Sequence, residues 1–94
     1  MLEKVKIAWN RTDDTFDTEI NELIDSAELD LGIAGVVLPE TLTAIAERAV
    51  TLYCLTHLEL EHGDPNKADK FKIAYDENKA QLSMATGYTS WSNA

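Results

Sequence analysis

The sequence predicts an all-α fold: a small antiparallel bundle of three main helices plus a short N-terminal helix, with an extended C-terminal tail. Three observations carry this reading. Apolar residues recur every three to four positions along three long segments, capping or helix-breaking residues bound those segments, and no segment alternates apolar and polar residues as a half-buried strand would. Residues 1–85 form the helical domain and residues 86–94 the tail.

At the start of the chain, Leu2, Val5 and Trp9 share one side of a short amphipathic helix. The first long helix is expected over about residues 14–32, where Phe16, Ile20, Leu23, Ile24, Ala27 and Leu31 form one stripe. Asp13, Asp14 and Thr15 are placed to cap its free N–H groups, Asp17 and Glu19 suit the positive end of its dipole, and Gly32 and Gly35 end it. The second long helix is expected over about residues 39–61, with Pro39 in its first turn and Leu42, Ile45, Ala46, Ala49, Tyr53 and Leu60 on one face. His62, Gly63 and Asp64 interrupt it. Asp64 then stands as N-cap and Pro65 as first residue of a third long helix, with Ala68, Phe71, Tyr75 and Leu82 in its stripe and its end near Ala85. Connections of about three to seven residues fold neighbouring helices back on each other.

With 94 residues the chain is sized for one domain, and 45% hydrophobic against 27% charged residues can bury a core. The net charge of −9 argues against binding nucleic acid through its phosphates. The charge is unevenly placed: residues 1–11 carry +2, residues 12–62 carry −11 and residues 63–94 none. In the third long helix, the spacing of Asp69 to Lys72 and of Asp76 to Lys79 allows weak surface pairs. No run reaches the ~20 apolar residues of a membrane span, and the opening MLEKVKIAWN lacks the apolar region of a signal peptide, so synthesis in a cytoplasm and no membrane association are expected. Cys54 is the single cysteine, which excludes an intrachain disulfide and suits ordinary packing.

None of the common catalytic or metal-binding constellations is convincing in this sequence. Asp13, Asp14 and Asp17 match no register of a calcium loop. His57 and Glu61 lie four apart with His62 adjacent, a spacing a divalent metal could use but one that surface histidines commonly show. Ser83, Ser90 and Ser92 have no nucleophile-elbow setting, and no glycine-rich phosphate loop occurs. No enzymatic activity, cofactor or metal is therefore expected.

What remains is surplus apolar surface. Ala44, Leu55 and Leu58 fall opposite the stripe of the second long helix, and Ile73, Ala80 and Met84 opposite that of the third. Either the chain's own first segment and tail cover these positions, or copies of the protein pack there with Tyr88 and Trp91 as aromatic anchors.

The order of several short motifs resembles a known family. Lys4-Val5-Lys6-Ile7-Ala8 is followed by Phe16-Asp17-Thr18-Glu19-Ile20 and by Leu23-Ile24-x-x-Ala27, then Gly35-Val36, Ala44-Ile45 and Ala49-Val50. Asp64-Pro65, Phe71, Tyr75-Asp76, Lys79, Leu82 and Gly87-Tyr88 complete the series. This order resembles the small head-tail connector proteins of tailed bacteriophages, the adaptor or head-completion type often labelled DNA-packaging proteins. The resemblance implies a virion or prophage protein at the head–tail interface that forms a ring of its own copies below the portal protein. Such a ring extends the DNA channel, through which DNA passes without sequence-specific binding, and offers a docking surface to a stopper or tail-completion protein. On this reading Leu55, Leu58, Ile73, Met84, Tyr88 and Trp91 are candidate assembly or portal contacts. His62, Gly63, Asp64 and Asn66 form a candidate channel-facing loop, and the acidic segment keeps the duplex from sticking. The alternative is a small acidic helical binding module, such as a DNA mimic that inhibits a DNA-binding protein.

Overall fold

The computed structural model describes residues 1–36 and 44–84. Four helices follow in order: α1 Leu2–Ala8, α2 Asp17–Ile33, α3 Ala44–His62 and α4 Pro65–Met84. The all-α class is the one the sequence predicts. The expected start of the second long helix at residues 39–43 lies outside the described residues, as does the tail.

The central element is α3, which packs against all three other helices and most extensively against α4. Its buried residues run round its whole circumference: Ala46, Val50, Cys54 and Leu58 along one side, Leu52, Leu55 and Glu59 along the other, and Ala49 between them. The expectation that Leu55 and Leu58 form a surplus outer face is therefore overturned, since they are 5% and 0% exposed. A single stripe is what a helix shows when neighbours lie on one side only. Here α2 and α4 flank α3, so apolar residues on more than one side of it mark a core helix. Two members of its expected core stripe, Ile45 and Leu60, are instead exposed near its ends. Cys54 is buried and unpaired, and burial pushes its thiol up to about 12, so it is an inert packing residue.

The two flanking helices follow their sequence patterns. Ile20, Ile24, Ala27 and Leu31 of α2 are buried, as are Ala68, Tyr75 and Leu82 of α4. Val5 and Trp9 bring α1 onto the same core. Both early helices end in the same hydrogen-bonded form. After α2, Gly35 adopts φ +87°, its N–H donates to the Gly32 carbonyl at 3.0 Å, and the Val36 N–H donates to Leu31 at 2.9 Å. After α1, Asn10 takes φ 62°, with the Asn10 and Arg11 N–H groups donating to Ile7 and Lys6. Gly35 is thus the stop signal, while Gly32 remains inside the helix.

The start of α2 differs from expectation. The cap position is Phe16, without a side-chain cap, while Asp13, Asp14 and Thr15 form a turn upstream in which the Thr15 hydroxyl donates to Asp13 at 2.8 Å. Aromatic packing supplies the reason. Phe16 meets the Trp9 ring edge-on at 5.2 Å and the His62 ring at 4.7 Å, and that anchor leaves the polar residues outside the helix. The start of α4 matches its sequence signal: the Asn66 N–H donates to the Asp64 carboxylate at 2.9 Å, with Pro65 as first helical residue.

Candidate assembly surfaces

Three surface regions carry side chains that the core does not consume. The first is the end of the bundle where the α3–α4 turn meets the junction of α1 and α2. Glu59, buried near the end of α3, accepts from the Trp9 indole N–H at 3.0 Å through Oε1 and from the Asp64 backbone N–H at 2.8 Å through Oε2. One carboxylate thus ties α1 to the α3–α4 turn. Gly63 is required beside it, because a Cβ there would collide with the Glu59 carboxylate. Around this tie Arg11 lies over the Trp9 ring at 4.5 Å, and His62 Nε2 pairs with Glu19 at 2.8 Å. The Lys6–Asp17 ion pair at 3.1 Å joins α1 to α2, and hydrogen bonding to Asp17 raises the Lys6 pKa.

Of the candidate channel-facing residues, His62 turns onto Phe16 and Glu19, Asp64 caps α4, Gly63 makes room for Glu59, and Asn66 is exposed. His62 and Glu61 gather with Glu19, one ligand atom of each within 4.8 Å of the others, whereas His57 packs on Tyr53 at 4.5 Å. The spacing His57–Glu61 is therefore not what brings acid and imidazole together.

The second region is a groove between α3 and α4, lined by Tyr53, His57, Tyr75 and Lys79 together with Asp30 of α2. The Tyr75 hydroxyl donates to Asp30 at 2.5 Å and the Lys79 ammonium at 3.3 Å. Lys79 thus reaches across to α2 and Lys72 pairs with Asp76 at 3.1 Å, so the expected pairs Asp76–Lys79 and Asp69–Lys72 give way to these. Hydrogen bonding from Tyr75, reinforced by Lys79, holds the Asp30 carboxyl below the usual carboxylate range in spite of partial burial. Burial, together with the adjacent Asp30 carboxylate, pushes the Tyr75 hydroxyl up.

An acid dependence follows. With a folded pKa below the unfolded 3.8, the Asp30 contribution is present above that value and lost as pH falls through the folded pKa. The stability gap between the wild type and Asp30→Asn, read from urea midpoints, should be fully open at about pH 6 and narrow progressively as the pH falls below 3.8. A gap unchanged across that range would contradict this assignment.

The third region is exposed apolar surface on the flanking helices. Ile73 and Met84 of α4 are 61% and 83% exposed, as the sequence predicts. Leu29 and Ile33 of α2, which the sequence reading overlooked, are 68% and 80% exposed. The signal was present in the sequence: both fall outside the stripe of Ile20, Ile24, Ala27 and Leu31. Tyr88 and Trp91 lie outside the described residues. Among the described residues no helix is long and apolar enough to cross a membrane.

No curated protein and no solved structure matches the chain. One family model does, described as phage connector protein, and it covers residues 1–89. That match spans every described helix and extends into the tail, so the chain belongs to the phage connector protein family, whose members are structural proteins of the virion.

Proposed function

We propose that this chain is an adaptor-type connector that assembles as a ring of its own copies below the portal protein once DNA is packaged. The ring extends the DNA channel and presents a docking surface to a stopper or tail-completion protein. The observation that carries this reading is the family match over residues 1–89. The exposed apolar residues on α2 and α4 add support, because a subunit that contacts neighbours on two sides needs two such faces. Tyr88 and Trp91 serve as further anchors beyond α4, toward the portal or a neighbouring copy.

The charge suits a channel through which DNA slides. Copies each carrying −9 repel the phosphate backbone, so the duplex passes without sequence-specific binding. The α3–α4 turn from His62 to Asn66 remains the candidate channel-facing element. Only Gly63 and Asp64 separate the two helices, so its lining consists mainly of helix-end side chains.

Light scattering coupled to size exclusion tests the proposal, with the protein alone over a range of concentrations and then with the portal protein of the same phage. The expected result is a multi-copy assembly, formed alone or captured on the portal, that a chain truncated before Gly87 forms less well while keeping its helix content. A strict monomer that ignores the portal would overturn it.

A further inference from the structure

The groove between α3 and α4 has aromatic walls and balanced charge. The Tyr53 ring meets Tyr75 edge-on at 5.4 Å and His57 at 4.5 Å, and both Tyr53 and His57 stay half-buried. Its two acids and two lysines pair with each other, Lys79 with Asp30 and Lys72 with Asp76. The Tyr75 hydroxyl and the Lys79 ammonium both donate to Oδ2 of Asp30, so Oδ1 keeps its capacity to accept, on a side chain that is 37% exposed. A groove of about 400 Å³ with these walls suits an uncharged aromatic group that carries one donor. Such a group stands nearby in the chain, because residues 85–94 follow α4 directly, contain no charged side chain and include Tyr88 and Trp91.

We infer that in the free subunit the chain beyond α4 folds back and seats the Trp91 indole in this groove of its own chain, with the indole N–H donating to Asp30. The length of the segment selects Trp91. Lys79 and Tyr75 lie five and nine residues before Met84, about 7 Å and 13 Å back along the helix. A reversal over Ala85–Tyr88 places Gly87 third, the position at which a type II turn needs positive φ. Three extended residues then run back about 10 Å, which brings Trp91 level with the stretch between Tyr75 and Lys79 and leaves Tyr88 at the turn. A segment tethered this closely meets its own groove at an effective concentration of about millimolar, above that of another copy in dilute solution. The outer face of α4 is a poorer seat, since Asp69, Lys70 and Glu77 are exposed there beside Ile73 and would have to give up water. The inference concerns the free subunit and does not depend on the ring reading. A portal protein or neighbouring copy that takes Trp91 as an anchor has first to draw it out of this groove.

Heteronuclear NMR on the dilute full chain, on Trp91→Ala and on the chain truncated before Gly87 tests the placement, because both changes lie beyond α4 and leave the four helices untouched. Each change should shift the amide signals of Tyr53, His57, Tyr75 and Lys79, and the alanine variant should reproduce most of the effect of truncation. In the full chain the Trp91 indole should show nuclear Overhauser contacts to the Tyr53 and Tyr75 rings. Those contacts should persist on dilution and be missing between differently labelled copies. Shifts confined to the last turn of α4, or centred on Ile73 and Ala80 of its outer face, would overturn the inference. Contacts found only between differently labelled copies would overturn it too, by giving the groove to a neighbour's tail.

Discussion

Glu59→Ala is expected to cost about 2–4 kcal/mol, because it leaves two donors, the Trp9 indole N–H and the Asp64 backbone N–H, without their acceptor in a largely buried setting. For a domain of this size that corresponds to a fall in melting temperature on the order of 10–20 °C, readable by circular dichroism. Glu59→Gln offers a single acceptor oxygen to the two donors and turns an N–H group toward the other, so it should fall between the wild type and the alanine variant. Gly63 supplies an independent check. Gly63→Ala drives a Cβ into the same carboxylate, and its cost should shrink sharply in a Glu59→Ala background, where the obstacle is gone. Additive losses in that double-mutant cycle would show that Glu59 does not organise the turn.

The second large effect separates core from surface on helices that the sequence treats alike. Leu58→Ala empties a fully buried site on α3 and should cost about 2–5 kcal/mol, a large share of the 5–15 kcal/mol that holds a typical domain together. Ile73→Ala removes a side chain that is 61% exposed and should leave stability within about 0.5 kcal/mol of the wild type. In the assembly assay the order should reverse at equal folded fraction, with Ile73→Ala weakening association. A melting temperature unchanged by Leu58→Ala would contradict the placement of α3 at the centre.

The local signals in the sequence were sufficient for the elements. Period-3.6 stripes identified Ile20, Ile24, Ala27 and Leu31 on α2 and Ala68, Tyr75 and Leu82 on α4, and the Asp64-Pro65 pair located the start of α4. These features depend on neighbours within one or two helical turns, so a linear reading reaches them. The family resemblance was legible for a similar reason, since it rests on the order of motifs along the chain.

The placement of α3 between α2 and α4 was decided only by tertiary structure. Periodicity reports that a side of a helix is apolar but not whether a neighbouring helix or another molecule covers it. Leu55 and Leu58 were therefore read as outer surface although they are core. The start of α2 was settled the same way, by Phe16 packing on Trp9 and His62 in place of the nearer polar caps. The Glu59 tie joins residues separated by fifty positions, Trp9 and Glu59, and no local pattern encodes such a partner. The sequence by itself determined the helices, the acidity and the family. Which apolar residues lie inside, and which remain for other molecules, depended on long-range packing, because burial is a property of the assembled helices and not of any one of them.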